Sequence, residues 1–185
     1  EAACRADGAC PGSLTFSRSM RPAPLPASFR LMPSRFQNML LSCGRFRLDL
    51  TSPRIMAIVN VTRDSFSGDG CGSIGDAMRA AERAVEEGAD LIDVGGESSR
   101  PGAQGVSEQE ELDRVVPVVE ALQGLGVPVS VDTVKPRVMQ AVLAAGADLI
   151  NDIAGFRTPG ALDAVKDASA ALCVMHRSEE HTSEL

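Results

Sequence analysis

The sequence predicts an α/β fold: a partial (β/α)8 barrel of the TIM type, covering roughly the first five βα units. Three observations carry that prediction. Buried-type strand runs at 55–59, 90–94, 127–131, 148–150 and 171–175 alternate with helical patterns near 74–87, 108–123, 136–145 and 160–168; strict alternation of this kind makes a parallel sheet, doubly wound or closed as a barrel. The strand starts are spaced about 29 residues apart on average, so eight units need roughly 230 residues, the ordinary size of such a barrel. Polar and glycine-rich segments follow each strand, on the side where parallel α/β folds bind ligands.

The elements are punctuated as their chemistry requires. Ser73 with Asp76 and Ser107 with Glu110 have capping-box spacing, in which each side chain satisfies a free backbone donor. Pro136 suits the first turn of a helix, where its missing N–H is harmless. Gly88 and Gly146 follow the helices they end. The segments 88–93 (GADLID) and 146–151 (GADLIN) are near copies, as repeated helix–strand units produce. Ahead of the first buried strand, Arg45, Phe46, Arg47, Leu48, Asp49 and Leu50 alternate as a short surface strand does.

Three regions differ in kind. Residues 1–40, rich in Pro, Ser, Ala and Arg and without periodicity, read as a disordered or non-native leader. A start at Met20, Met32 or Met39 is favoured, and an organelle transit peptide is the alternative. Residues 43–176 form the barrel region. Residues 177–185 have no helix or strand pattern; they match one reading frame of a widely used sequencing adapter and are expected to be an artefact tail, so His181 is given no role.

Residues 1–54 carry a net charge of +5 and residues 55–185 a net of −12, together the −7 of the whole chain. The acidic body argues against nucleic acid as the main partner, because phosphate binding needs clustered Lys and Arg. No apolar run reaches the length of a membrane span. The five cysteines show no CxxC spacing, which fits reduced thiols in a cytoplasmic protein better than disulfides or a zinc site.

The segment from Asp93 to Gly102 is the densest in chemical groups. Gly95 and Gly96 permit close approach of a ligand, while Ser98, Ser99 and Arg100 can donate several hydrogen bonds to an anion. A polar turn with a surface arginine is the plain alternative. Asn60 offers the hard oxygen that Mg²⁺ accepts. Asp132 and Asn151 close buried strands and can pair with the edge of an aminopyrimidine, or else only cap a helix and shape a turn. Asp64 and Asp69 can face a developing positive charge, and Ile153 and Met175 can wall a ring-shaped pocket. Asp93 and Asp152 are expected to be structural, satisfying neighbouring backbone donors, as are Thr62 and Thr133; Phe66 reads as a loop anchor, and His176 is left without a role.

These residues resemble a known family. The segment 60–70 (NVTRDSFSGDG) resembles the NVTPDSFSDGG signature of dihydropteroate synthase, and 95–102 (GGESSRPG) matches its GGES(T/S)RPG signature. Val131, Asp132 and Thr133 with Lys135 and Pro136, and Ile150 to Ile153, match its third and fourth strand ends. The resemblance runs from about Cys43 to His176. It implies a (β/α)8 barrel that condenses 6-hydroxymethyl-7,8-dihydropterin diphosphate with p-aminobenzoate, with Mg²⁺ as cofactor and sulfonamides as competitors.

On matching positions the resemblance assigns Asn60 to the metal, Ser99 to the pterin diphosphate, and Asp132 and Asn151 to the pterin ring. Arg100 belongs to the second loop, and Phe66 and Pro101 lie near the p-aminobenzoate pocket. A dissociative mechanism, with a pterin cation attacked by the aniline nitrogen, is implied, and a homodimer is expected for the full-length protein. Arg63 stands where the family has proline, and Gly68, Asp69 and Gly70 shift the loop aspartate by one place. The family's later groups are expected to be missing from the chain as given, which predicts open sheet edges and negligible turnover for it alone. The alternatives are another pterin-binding barrel, such as a methyltetrahydrofolate methyltransferase, and a non-catalytic pterin-binding fragment.

Overall fold

The computed structural model describes residues 39–61, 73–97 and 105–175. Of the expected site residues, Asp64, Phe66, Asp69, Ser99, Arg100 and Pro101 lie outside these, as do His176 and both terminal regions.

A two-stranded antiparallel hairpin, β1 (Leu40–Cys43) and β2 (Phe46–Asp49), precedes a parallel sheet of five strands. Its strands are β3 (Met56–Asn60), β4 (Leu91–Gly95), β5 (Val129–Asp132), β6 (Leu149–Asp152) and β7 (Ala171–Val174), hydrogen-bonded in sequence order. Helices α1 (Ser73–Glu86), α2 (Glu108–Ala121), α3 (Pro136–Ala144) and α4 (Ala161–Val165) connect them. Sequential parallel strands joined by helices are the arrangement of a (β/α)8 barrel, of which the described residues form five strands. Four strands end one or two residues later than the sequence predicts, because the residues that follow the apolar runs still take part in the ladder; α4 is also shorter than expected. The hairpin is the larger difference: a second strand, Leu40–Cys43, precedes the expected one, so the folded region begins before Cys43. Four residues with no charge among them give too short an alternation to read.

Alternation along the strands sorts the side chains onto two faces. Val59, Ile92, Val94, Val131 and Ile150 face the helices and meet Val115, Val118, Val138, Met139 and Val142 in the main core. The other face is divided along its length. Near the strand starts, Leu91, Leu149 and Ala171 pack with Cys43, Leu41 and Leu48 of the hairpin, which covers that end of the sheet. Near the strand ends the same face turns polar. The edge strands β3 and β7 leave Ile58 and Val174 exposed.

The repeated GADLI segments do the same work twice. Asp90 accepts from the backbone N–H of Ile55 at 2.8 Å and pairs with Arg54 at 3.0 Å. Asp148 accepts from the N–H of Val129 at 3.1 Å and pairs with Arg45 at 3.3 Å. Each aspartate, one residue ahead of its own strand, fastens the start of the strand before it. Gly88 and Gly146 take the positive φ (108° and 101°) that ends a helix in this way.

Ser107 caps α2 through the N–H of Glu110 at 3.2 Å, and Pro136 opens α3, both as expected. Ser73 instead lies inside α1 as its first residue, and Asp76 pairs with Arg79 one turn on.

Candidate functional site at the strand ends

Parallel pairing aligns one residue from each strand into a single row: Asn60, Gly95, Asp132, Asn151 and Cys173. All five sit at or near the carboxyl ends of their strands and project from the face away from the helices. The row therefore brings together three of the expected site residues, Asn60, Asp132 and Asn151, from segments more than 90 residues apart in sequence. Gly95 contributes no side chain, which leaves a gap in the row between Asn60 and Asp132. A methyl group at Gly95 would stand 3.5 Å from Asn60 Oδ1, so the asparagine carbonyl leans over β4 toward that gap.

Beneath the row, two residues earlier on the same face, Asp93 of β4 is buried and reaches side chains on β5 and β6. Its Oδ1 accepts the Ser130 hydroxyl at 2.5 Å, and its Oδ2 accepts Nδ2 of Asn151 at 3.1 Å. Asp93 was expected to satisfy backbone donors; its partners are side chains, because a residue in the middle of a ladder has neighbouring N–H groups already paired. The bond to Nδ2 sets the amide of Asn151 and leaves Oδ1 as the acceptor of that side chain. Asp152, by contrast, is structural as expected. Fully buried, it accepts the N–H groups of Ala154 at 2.7 Å and Phe156 at 2.8 Å and folds the turn after β6.

Asp132 differs from both. No hydrogen bond from a described residue stabilises its carboxylate. Burial first, then the charges of Asp93, Glu111, Asp152 and Glu97, push its pKa from the usual 3.8 up to about 6. An anion held at a strand end without donors is an unfavourable arrangement for the protein alone. It is a favourable one for a ligand that presents donors.

Ile153 and Met175 follow β6 and β7 directly. The N–H of Met175 bonds to the carbonyl of Asp152 at 3.3 Å, which sets the two chain exits side by side beyond the row. Ile153 is half-buried and Met175 is 49% exposed, an apolar rim beyond the row. A groove of about 600 Å³ elsewhere, between β3 and α1, takes in Asn60 but none of Asp132, Asn151, Ile153 or Met175. It follows the β3 edge of the sheet and takes in no other member of the row.

Reading the sequence did not single out three features here: the Asp93–Ser130 floor, Cys173 at the end of the row, and a charged cluster beside it. In that cluster Lys135 Nζ donates to both Glu97 and Glu111, and Glu111 is only 1% exposed. Burial works to lower the pKa of Lys135, but its bonds to Glu111 and Glu97 outweigh that and hold it above the ordinary lysine value. The signal for the floor was present as period-two pairs, Asp93 with Gly95 and Ser130 with Asp132.

Gly96 meets the same cluster. A Cβ there would fall 2.5 Å from Val115 Cγ2 and 2.9 Å from Glu111 Cγ, so β4 leaves the sheet pressed against α2. Replacing Gly96 with Ala is expected to destabilise the fold by about 1–3 kcal/mol through overpacking. Urea unfolding checks this; a loss below a few tenths of a kcal/mol would show that the contact relaxes freely.

No group of three or more His, Cys, Asp or Glu among the described residues can hold a metal by itself. No helix among them is long and apolar enough to cross a membrane.

Comparison with known proteins agrees with this geometry. Residues 56–184 match the family model described as pterin binding enzyme. The chain is 50% identical over 131 residues to dihydropteroate synthase of Escherichia coli strain K12, covering 70% of this chain and 46% of that protein. It is 45% identical over 137 residues to the dihydropteroate synthase of Neisseria meningitidis serogroup C, covering 72% and 48%. Among solved structures, Burkholderia cenocepacia dihydropteroate synthase complexed with 7,8-dihydropteroate is similar with a TM-score of 0.68 at 56% identity, over 76% of this chain and 47% of that one. The Xanthomonas albilineans enzyme with 4-aminobenzoic acid has a TM-score of 0.72 at 49% identity, over 78% and 55%. The chain thus spans about half the length of the curated relatives it matches. With the strand-end row and the match over residues 56–184 in agreement, the chain belongs to the pterin binding enzyme family.

Proposed function

We propose that the protein carrying this chain is a transferase of folate biosynthesis, a dihydropteroate synthase. It would condense 6-hydroxymethyl-7,8-dihydropterin diphosphate with p-aminobenzoate, giving 7,8-dihydropteroate and diphosphate. The observation that carries this reading is Asp132, a strand-end carboxylate that receives no hydrogen bond from the described residues, aligned with the Asn151 amide, whose nitrogen donates to Asp93. A pterin presents an amino group and a ring N–H along one edge, which Asp132 and Asn151 Oδ1 accept together. Relatives with solved product and 4-aminobenzoic acid complexes support the same substrates.

The remaining roles follow the chemistry of each side chain. Ile153 and Met175 would cover the faces of the ring. Ser99 and Arg100 would bind the diphosphate, Arg100 as a planar fork. Asp64 and Asp69 would face the positive charge that develops on the pterin as the C–O bond to diphosphate breaks. Phe66 and Pro101 would border the p-aminobenzoate, whose amine nitrogen then forms the new C–N bond and loses a proton. Preorganised charge, rather than a side-chain nucleophile, is the main catalytic contribution of such a site.

Asn60 supplies one hard oxygen beside the gap at Gly95, which suits a magnesium ion that takes its other ligands from diphosphate and water. When bound, Mg²⁺ would neutralise charge on the leaving diphosphate. The rest of the reading is a homodimer in the cytoplasm whose p-aminobenzoate pocket sulfonamides block, as a Yersinia pestis structure with a sulfonamide drug complex supports.

The test is product formation by the protein translated from the complete reading frame, supplied with both substrates and Mg²⁺. Release of dihydropteroate and diphosphate in equal amounts is the expected result. Pterin binding without product would sink the synthase reading and favour a binding protein.

A further inference from the structure

The cluster of Lys135, Glu97 and Glu111 joins three elements that surround Asp132 without belonging to the row. Glu97 lies two residues beyond Gly95 as the chain leaves β4, Glu111 is on the first turn of α2, and Lys135 is the residue that precedes α3. The exit of β4 is held from two sides: Lys135 bonds the Glu97 carboxylate, and Arg114 donates to the Gly96 carbonyl at 3.1 Å. The backbone from Asp132 to Lys135 is itself anchored, since the N–H of Thr133 bonds to the carbonyl of Asn151 at 3.1 Å and the N–H of Lys135 to Thr133 Oγ1 at 3.3 Å.

We propose that Lys135 is a positioning residue for pterin binding: its ammonium clamps Glu97 to Glu111 and so holds the end of β4 in register with Asp132. The proposal rests on the pterin reading of the row. Two carboxylates meet at one ammonium here, and one of them, Glu111, is buried. With a neutral residue at 135 they repel each other across a site of low polarity. Glu97 is the freer of the two, being one-third exposed, so it is the one that recoils. Its recoil carries Gly96 and Gly95 away from Asp132, in the row where the ligand is held. A lysine serving stability alone would have its effect on unfolding and none on ligand affinity in the folded molecules.

The experiment uses the protein from the complete reading frame and titrates 6-hydroxymethyl-7,8-dihydropterin diphosphate with Mg²⁺ calorimetrically, at a temperature where each variant is folded. Lys135→Gln is expected to weaken binding about 10-fold, and Lys135→Arg, which keeps the charge and the reach, to bind within error of the parent. Glu97→Gln, which leaves the Lys135–Glu111 pair in place, is expected to weaken binding about threefold and decides the matter should Lys135→Gln not fold. Affinities for Lys135→Gln and Glu97→Gln within error of the parent would overturn the clamp while leaving the pterin reading intact. An unmodified protein that does not bind the pterin would overturn both.

Discussion

Replacing Asp132 with Asn is expected to abolish pterin binding, weakening it at least about 100-fold, while making the unliganded protein more stable at neutral pH. The two effects have one cause. The carboxylate has no donor among the described residues, and burial with four neighbouring acids holds its pKa at about 6. Below pH 4 the side chain is protonated in both folded and unfolded chains. Between about 4 and 6 the unfolded chain releases the proton while the folded one retains it, so stability falls as pH rises through that window. Above 6 the penalty is fully present, on the order of 1 kcal/mol once solvent screening of a half-exposed group is allowed for. Asn removes it, so the variant should gain about that much at pH 7–8 and nothing at pH 4. A pterin supplies the missing donors, and its affinity for the parent should fall as pH drops below about 6. The loss of the carboxylate's charge-assisted hydrogen bonding, with an amide NH2 set against a donor edge in its place, is what makes the binding effect large. Calorimetric titration and urea unfolding across pH measure both halves. An Asn variant that binds like the parent would refute the role of Asp132, and one that is less stable at pH 7 would refute the electrostatic argument.

The second large effect is expected at the opposite end of the sheet. Asp148 is buried, and its two oxygens receive the N–H of Val129 at 3.1 Å, the N–H of Arg45 at 3.2 Å and two guanidinium donors of Arg45 at 3.3 Å each. Its carbonyl also accepts the Cys43 thiol, and burial together with the Asp148 charge pushes that thiol's pKa up to about 11. Gly44 turns directly over the carboxylate with φ of 52°, leaving no room for a side chain. Asp148→Ala should therefore destabilise the protein by about 3 kcal/mol. Most of this comes from two backbone donors left without acceptors, at about 1–3 kcal/mol each; the half-exposed guanidinium adds little. Asp148→Asn keeps one acceptor and should lose roughly half as much. The unfolding midpoint in urea checks the pair, and an Ala variant within about 0.5 kcal/mol of the parent would show that the hairpin is not fastened here.

The architecture was legible because its local signals agree with one another. Valine- and isoleucine-rich runs, a serine or proline at helix starts and glycines at helix ends all specify alternating parallel units, and the structure reproduces them to within a residue or two at most boundaries. The hairpin was half read, since a strand of four uncharged residues leaves no periodic signature. In the site, Asn60, Asp132 and Asn151 could be chosen by position alone, because each closes an apolar run. The Asp93 floor and the Lys135 cluster could not. Asp93 looks like any acid in a strand until Ser130 and Asn151, 37 and 58 residues away, are seen against it.

The sequence by itself determined the order and type of the elements and the family, because these depend on residue patterns within a span of one helix or strand and on two long signatures. Only the tertiary structure decided which strand ends share a row, which acids are satisfied and which one receives no hydrogen bond from the described residues. Those properties depend on register between strands and on burial, and both are set by residues far apart in the chain.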